Sequence, residues 1–461
     1  MNSSRQDTLD LLRRAEDDPR RRILIRDATV VTGDPGSGTL DRADVLLEGS
    51  TIAAIGRALP VGDAIVVNAT GMIAAPGFVD THRHAWEAQL RRIMPDVDDL
   101  GAYVTKTLLG YAPVYRPHDM YIGTKLAALT AIDAGITTML DFSHNSRTAA
   151  HSDAAVRALR DTGIRGVHAA MAPHFGTWDH QWPADLTRLR EQHTDDLLTF
   201  RLACLATGEI AGPDLAYGPR LARHARELSV GVSVDAVFGE SSSRAILEWE
   251  RQGLLGPEVT LIHATGLTAD AWRAIADTGT TVALAPTSDA QIGLETAVPA
   301  VDEALAVGVR PGLSIDVEVA LSSDMFTQMR VLLAIQRMRA VEGVHGTDRV
   351  STRIGVADVL DFATVQGART NGLERITGSL TPGKQADLLL ITAEAINTMP
   401  LNDPIGTVVL GADARNVDTV LIGGRVRKWA GELLEVDLAA LREEVTASRD
   451  HVLTAAQAVL R

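Results

Sequence analysis

The chain has 461 residues, 46% of them hydrophobic and 22% charged, which is typical of a globular protein with a large core and room for a second domain. Its formal net charge of −15 disfavours nucleic acid as a partner, because no basic cluster offsets the repulsion of phosphates. The single cysteine, Cys204, excludes internal disulfides, and no apolar run approaches the length that spans a membrane. We therefore expect a cytoplasmic protein with no nucleic-acid or membrane partner.

The two ends of the chain share a pattern of short β-type runs and turns that the middle lacks. Residues 1–22 form a polar, arginine-rich arm with a predicted helix and without the apolar segment of a signal peptide. Short β-type runs separated by turns follow over 23–75, and the same texture returns over 373–436. A closing helix is predicted over 437–461. We predict that 23–75 and 373–436 form one small β-sandwich domain built from both chain ends.

The middle of the chain, residues 76–372, alternates apolar β-type runs with stretches of helical apolar spacing. The runs fall at 76–84, 137–140, 166–170, 200–203, 230–234, 259–262, 281–284 and 312–315. Eight strands alternating with helices are the count of an α/β fold of the (β/α)8 TIM-barrel type, although a doubly wound open sheet has the same alternation. We predict the barrel, because chemically capable side chains follow these strands and barrel active sites are assembled at the carboxyl ends of strands.

The first of these polar side chains are His82 and His84, which stand two residues apart at the end of the first predicted strand. Residues two apart in extended backbone point the same way, so both rings can reach one ion. Neutral imidazole is a good ligand for zinc or iron. A His-x-His pair is also common in surface loops, so the pair alone leaves both interpretations open. The later strands are followed by Asp141 with His144, Asp235, His263, Ser288 and Asp316.

Six short motifs occur in the order found in a known family. They lie at 76–84 (first strand), 261–264 (sixth-strand histidine), 285–288, 314–316 (eighth-strand aspartate), 323–326 and 378–388 (entry to the terminal β domain). Together they resemble the amidohydrolase superfamily, in its branch of aminoheterocycle deaminases and triazine hydrolases. Several motifs in the right order are far more specific than any one of them. The resemblance favours the metal-binding interpretation of His82 and His84 over a pair of surface histidines.

This resemblance implies a hydrolase that acts on C–N or related bonds of a small nitrogen heterocycle, with one divalent metal ion, zinc or iron. His82, His84, a fifth-strand histidine and Asp316 would hold the metal, which lowers the pKa of a bound water. Asp316 would orient or deprotonate that water, and His263 would stabilise the developing charge. We expect a small-molecule substrate and a homo-oligomer.

The fifth-strand segment departs from the family pattern. Asp235 stands where the family has its histidine ligand, and Phe238 stands where a glutamate proton carrier is expected. Carboxylates also bind zinc, so we predict Asp235 as a ligand that makes the site more anionic and its bound water less acidic. Glu240, two residues after Phe238, is predicted to replace the missing glutamate. The alternative is a lyase or isomerase that uses His263 and Asp316 in the same pocket with a modified or absent metal site.

Aromatic and histidine side chains in the predicted loops are candidates for substrate contacts. Trp86 lies in the first loop and could stack on a flat substrate, and His144 follows the second strand. The stretch 174–182 includes Phe175 and Trp178, a concentration of rings in a chain that is only 4% aromatic. We predict a lid or pocket wall there. A structural role for His144, and a loop packed on its own aromatics, are the alternatives that the sequence leaves open.

Overall fold

Two sheets organise the fold in the computed structural model, which describes residues 2–294, 296, 298–348 and 350–457. In chain order the strands are β1 (Arg22–Val31), β2 (Thr39–Glu48), β3 (Thr51–Gly56), β4 (Ile65–Asn68), β5 (Met72–Pro76), β6 (Phe78–Arg83), β7 (Ile136–Ser143), β8 (Arg165–Ala170), β9 (Leu198–Leu205), β10 (Gly231–Asp235), β11 (Val259–Ile262), β12 (Thr281–Leu284), β13 (Gly312–Leu313), β14 (Leu388–Thr392), β15 (Val417–Ile422), β16 (Arg425–Trp429) and β17 (Glu432–Leu433). Strands β6 to β13 form one sheet, and the remaining strands form the other.

Strands β6 to β13 pair in chain order, each parallel to the next. Strand β7 is buried along its whole length, as expected for parallel strands that are covered on both faces and are therefore near-continuous apolar runs. The ring closes at its ends: the N–H of Asp316 donates to the carbonyl of His82 (2.9 Å), and the N–H of His84 donates to the carbonyl of Asp316 (3.1 Å). The predicted (β/α)8 barrel is confirmed.

Helices and short helical turns connect the barrel strands, and one helix lies near each end of the chain. The α-helices are α1 (Asn2–Arg14), α2 (Leu100–Tyr103), α3 (Pro117–Asp133), α4 (Ala149–Thr162), α5 (Asp185–Gln192), α6 (Pro219–Leu228), α7 (Gly239–Arg251), α8 (Ala269–Thr278), α9 (Pro286–Gln291), α10 (Val301–Ala306), α11 (Met325–Glu342), α12 (Val356–Ala363), α13 (Val365–Thr370), α14 (Pro404–Gly406) and α15 (Leu438–Ala456). Ala85–Leu90 is a 3-10 helix, and Val104–Tyr111 is a π-helix. Within the described residues, no helix combines the length and apolar character needed to cross a membrane.

The second sheet is mixed and is drawn from both ends of the chain. Its order is β17-β16-β15-β14-β5-β1-β2-β3, with β4 beside β1. Strand β5, from the N-terminal part, pairs antiparallel with β14, from the C-terminal part, with Ala74 opposite Leu390. The predicted small β domain built from both ends is confirmed, while its boundaries at residues 22, 75, 372 and 436 stay predictions.

Candidate active site

Five ionisable side chains meet at the carboxyl end of the barrel, where strands β6, β10, β11 and β13 end. The Nε2 atoms of His82 and His84 lie 3.0 and 3.2 Å from Oδ1 of Asp316. The Nε2 atom of His263 lies 3.8 Å from Oδ2 of Asp316 and 3.8 Å from Oδ1 of Asp235. The structure therefore brings together all four predicted metal ligands and the predicted catalytic histidine.

The donor set fits a divalent metal ion. His82, His263 and Asp316 each offer one ligand atom within 4.8 Å of the others. Nδ1 of His82 and Oδ1 of Asp235 are buried without a hydrogen-bond partner among the described residues. Nδ1 of His84 donates to the carbonyl of Phe142 at 3.2 Å, which leaves its Nε2 free to face the cluster. Imidazole nitrogens and carboxylate oxygens are the usual donors for zinc and iron. Of the predicted ligands, His84 and Asp235 fall outside this group of three, whereas His263, which the sequence places beside the metal, falls inside it.

The side chains of the cluster differ in protonation state. Burial lowers the pKa of His82 to about 3, so this ring is neutral. Burial opposes the charge on Asp316, but the positive charge of His263 and the hydrogen bonds from His82 and His84 hold the pKa of this carboxyl well below its usual value. Burial also opposes charge on His263, yet the Asp316 and Asp289 carboxylates raise its pKa to about 10. The neutral His82 ring and the ionised Asp316 carboxylate have the protonation states that bind a metal, whereas His263 carries a proton on each nitrogen and is a hydrogen-bond donor.

Helix α9, which follows β12, supports two members of the cluster from behind. Nδ1 of His263 donates to Oδ1 of Asp289 at 2.7 Å, and the Asp289 side chain is fully buried. The hydroxyl of Ser288 donates to Oδ2 of Asp316. These bonds fix which nitrogen of His263 faces the cluster and which way the Asp316 carboxylate turns.

His263 and Asp316 also share an unusual backbone conformation. Their φ angles are 65° and 68°, and Ala264 follows at 54°. Positive φ is uncommon for residues other than glycine and costs energy, and such residues concentrate at functional sites. Strand β13 comprises two residues and is shorter than the predicted 312–315.

A row of rings extends from the cluster toward the loop after β8. The His144 ring lies 4.0 Å from the His84 ring and 5.0 Å from the His174 ring, measured between centroids. Burial lowers the pKa of His174 to about 3 and holds the pKa of His144 well below its usual value, so both are neutral. Trp86 is fully buried with its ring edge-on to His144 at 5.4 Å. Phe175 follows His174 with the two ring centroids 6.2 Å apart. This row is the wall of the site nearest His84.

Trp178 and Glu240 lie elsewhere. The Trp178 ring packs on His180 at 4.2 Å, and it is partly buried against the barrel core. The Glu240 side chain is 82% exposed in the first turn of α7, where its Oε1 lies 2.9 Å from Nη1 of Arg244. The structure does not bring Glu240 to the cluster, because the start of α7 turns this side chain toward solvent. Its predicted role as proton carrier has no support in this placement.

Two functional candidates, Asp289 and Glu87, were not predicted from the sequence. Asp289 directly follows Ser288, at the end of a segment that resembles the family, and that adjacency was the available signal. Glu87 lies three residues after His84 and is fully buried; its Oε1 accepts a hydrogen bond from the Tyr103 hydroxyl at 2.7 Å, and its Oε2 has no partner among the described residues. Burial raises the pKa of Glu87 to about 7.

Comparison with known proteins identifies a family and several relatives that share one name. The model of the amidohydrolase family matches residues 73–206 and 218–427. A 5-methylthioadenosine/S-adenosylhomocysteine deaminase of Moorella thermoacetica is 28% identical over 443 residues, which cover 92% of this chain and 98% of the relative. The protein of the same name from Symbiobacterium thermophilum is 30% identical over 431 residues, covering 88% of this chain and 93% of the relative.

Solved structures share the fold over nearly the whole chain. A mutant atrazine chlorohydrolase from Arthrobacter aurescens TC1, complexed with zinc and atraton, has a TM-score of 0.81 at 21% identity and covers 93% of this chain and 100% of its own. An adenosine deaminase from Xanthomonas campestris with bound zinc has a TM-score of 0.79 at 22% identity and covers 94% of this chain and 98% of its own. These comparisons favour hydrolysis over the lyase or isomerase alternative. Because the family model matches most of its length, the chain belongs to the amidohydrolase family and is a hydrolase that acts on C–N bonds other than peptide bonds.

Proposed function

We propose that this protein is a metal-dependent deaminase of an amino-substituted nitrogen heterocycle, with water as the nucleophile. The observation that carries the proposal is the meeting of three imidazoles and two carboxylates at the carboxyl end of the barrel. Barrel enzymes assemble their catalytic groups at this end. The names of the relatives, which are deaminases of adenine-containing compounds, support the same reaction.

His82, His84, Asp235 and Asp316 are the residues that would hold the ion, with His263 close enough to approach it. A divalent metal bound there would act as a Lewis acid that lowers the pKa of a water molecule toward neutrality. With Asp235 in place of an imidazole the set carries two carboxylates, so it is more anionic than a three-histidine set. We expect this set to select zinc less strongly than a three-histidine set does.

Side chains of the protein would accept and donate the protons of the reaction. Oδ2 of Asp316 accepts a hydrogen bond from Ser288, and it can take a proton from the attacking water. Nε2 of His263, whose other nitrogen is held by Asp289, faces the same space and can donate to the atom that gains charge as water adds to the ring carbon. The tetrahedral adduct then collapses: its hydroxyl proton returns to His263, the C–N bond breaks, ammonia leaves with the proton held by Asp316, and a carbonyl forms on the ring.

The ring row gives the substrate a flat, largely uncharged wall. His144, Phe175 and Trp86 would face or support a heterocycle that approaches His84, since aromatic rings favour edge-on and offset contacts with flat groups. Trp178 stays a predicted contact of the surrounding loop. We propose adenine nucleosides as the first substrate class to test, namely 5-methylthioadenosine, S-adenosylhomocysteine and adenosine. Zinc as the metal, a cytoplasmic location and a homo-oligomeric state stay predictions.

The test compares metal content and ammonia release in three proteins: wild type, Asp235→Ala and Asp235→His. Wild type should carry stoichiometric metal and release ammonia from at least one adenine nucleoside. Asp235→Ala should lose both metal and activity, because one ligand is gone. Asp235→His should retain metal and bind zinc more tightly, since imidazole suits that ion.

The matched control is Asp270→Ala, which removes a carboxylate that is 64% exposed on α8. It should keep wild-type metal and activity. A wild-type enzyme that contains no metal and stays active after exhaustive chelation would reject the metal-dependent mechanism. Ammonia release from none of the three nucleosides, by a protein with stoichiometric metal, would reject the proposed substrate class and leave the metal assignment standing.

A further inference from the structure

A cavity of about 270 Å³ lies where the two chain ends meet, away from the barrel's carboxyl end. Its walls come from helices α1, α3 and α15 and from strands β1, β16 and β17. Leu9, Leu12 and Ile23 supply an apolar floor, each with an exposed fraction of 5% or less. We call it the chain-end cavity. Ligand sites in proteins are mostly apolar concavities with a few converging polar groups, and this volume is near the lower end of their usual range.

Arg427 is the polar group that sets this cavity apart. It lines the cavity and also a neighbouring open pocket that includes Gly163, and its guanidinium forms no hydrogen bond or ion pair among the described residues. Its Nε is fully buried without a partner. The guanidinium packs against the backbone of Gly163, where an added Cβ would lie 2.4 Å from Cζ of Arg427. Burial lowers the pKa of Arg427, which is the expected effect of removing a cation from water without a partner.

Two neighbouring arginines differ from Arg427 because they donate to acceptors, although Nε of Arg21 is also buried without a partner among the described residues. Arg21 donates from Nη1 to the carbonyl of Glu16 at 2.9 Å and from Nη2 to the carbonyl of Gly424 at 2.6 Å. Arg425, two residues before Arg427, pairs with Asp17 at 3.1 Å and with Glu16 at 3.6 Å. A half-buried cation without a hydrogen-bond acceptor is costly, because the donor loses its hydration, and the carboxylates of Glu16, Glu435 and Asp195 act on Arg427 without forming a hydrogen bond. The missing acceptor is therefore best supplied by a ligand.

Charged side chains of both signs line the cavity, and the acidic ones disfavour a multiply charged anion. The acidic residues are Glu16, Asp161, Glu435, Asp437 and Glu444, and the basic residues besides Arg427 are Arg13, Arg21 and Lys125. Asp161 accepts a hydrogen bond from the Tyr121 hydroxyl at 2.8 Å and is thereby held at the wall. These carboxylates would repel a polyphosphate or any other multiply charged anion. The planar fork of a guanidinium matches a carboxylate in two-point contact.

We propose that the chain-end cavity binds a small amphipathic carboxylate, whose charged group pairs with Arg427 and whose apolar part packs on Leu9, Leu12 and Ile23. This site is independent of the proposed deaminase chemistry. Because α1 and α15 form part of its walls, a bound carboxylate stabilises the packing of both chain ends.

The probe is octanoate, compared with 1-octanol and with acetate on the metal-loaded full chain. Isothermal titration calorimetry and thermal unfolding are the measurements. Octanoate should bind and raise Tm, while octanol, which lacks the charge, and acetate, which lacks the apolar chain, should bind at least tenfold more weakly. Octanol binding as tightly as octanoate, or no octanoate binding to wild type, would overturn the proposal.

Arg427→Gln removes the charge, and it should weaken octanoate binding at least tenfold without changing octanol binding. Arg425→Gln is the matched control: it is a nearby arginine that already has carboxylate partners, and it should bind octanoate as wild type does. Equal losses in the two variants would contradict the assignment of Arg427. If Arg427→Gln does not fold, Ala440→Trp decides instead, since Ala440 is an exposed residue of α15 that lines the cavity. This bulkier side chain should abolish octanoate binding, and undiminished binding would reject the site.

Discussion

The Asp289 carboxylate accepts the hydrogen bond that orients the His263 ring in the site. It accepts from Nδ1 of His263 at 2.7 Å, so it holds the ring with Nε2 toward Asp235 and Asp316. Without that acceptor the imidazole could rotate or adopt the other tautomer. Residues that orient a catalytic or metal-binding histidine in this way change the reaction without touching the substrate.

We predict that Asp289→Ala lowers kcat about 10- to 100-fold with little change in KM, the usual cost of losing an orienting partner. Asp289→Asn should retain more activity, because its amide oxygen can still accept from Nδ1. Steady-state kinetics with metal analysis in parallel are the measurement. A variant with normal kcat and a raised KM would show that Asp289 acts on substrate binding and does not position His263.

Site residues that lie close together in the chain are easier to predict from the sequence than residues that lie far apart. His82 and His84 are two residues apart in one strand, so their shared direction is set by local backbone geometry. Glu240 is predicted as proton carrier because it stands two residues after Phe238, where the family has its glutamate. The structure turns this side chain to solvent in the first turn of α7, which gives the prediction no support. Glu87 is brought near His84 by the 3-10 helix Ala85–Leu90, which leaves no strong mark in the sequence.

At the scale of elements, the barrel strands were predictable and their supports were not. Continuous apolar runs identified all eight strands, and β11 and β12 begin and end where predicted. The packing of α15 depends on partners more than three hundred residues away. The Ser448 hydroxyl donates to Oδ1 of Asp119 at 2.8 Å, while the backbone and side chain of Arg116 donate to Oδ2 of the same carboxylate, each at 2.8 Å. Asp119 thus both caps α3 and holds α15.

We predict that Asp119→Asn lowers the free energy of unfolding at pH 7 by about 1–3 kcal/mol, because buried groups lose a charged acceptor. Burial raises the pKa of Asp119, but the bonds from Arg116 and Ser448 outweigh this effect, and the pKa is lowered overall. A lowered pKa stabilises the fold above the unfolded value of about 3.9, and this contribution is lost as the pH falls through the folded value. The gap between variant and wild type should therefore close in acid.

Urea denaturation at a series of pH values between 7 and 3 measures this gap. Asp450→Asn, which removes an exposed carboxylate from the same helix α15, is the matched control and should show little effect at any pH. A loss for Asp119→Asn that is the same at every pH would contradict the role of its charge.

At the scale of the whole molecule, a buried ion pair joins the barrel to the β domain. Nε of Arg165, at the start of β8, lies 2.7 Å from Oδ2 of Asp387, just before β14, and Nη2 lies 3.0 Å from Oδ1. The N–H of Gly423 also donates to Oδ1 at 2.7 Å. The texture of the chain ends predicted that they form one domain, but it carried no information on which charges would meet across the contact. That pairing exists only after both units have folded.

Arg165→Met should lower the free energy of unfolding by about 3–5 kcal/mol, because removing one partner of a buried pair leaves a charged carboxylate without compensation. The side chains of Arg165 and Asp387 are 2% and 0% exposed, so water cannot replace the lost guanidinium. The double variant Arg165→Met/Asp387→Leu should recover part of this loss, since no buried charge then remains and only the bond from Gly423 and the bond to the carbonyl of Asp196 are missing. Arg244→Met removes an exposed ion pair and should leave stability nearly unchanged. Equilibrium urea unfolding of the four proteins measures these differences, and an Arg165→Met loss no greater than that of Arg244→Met would show that this pair does not hold the two units together.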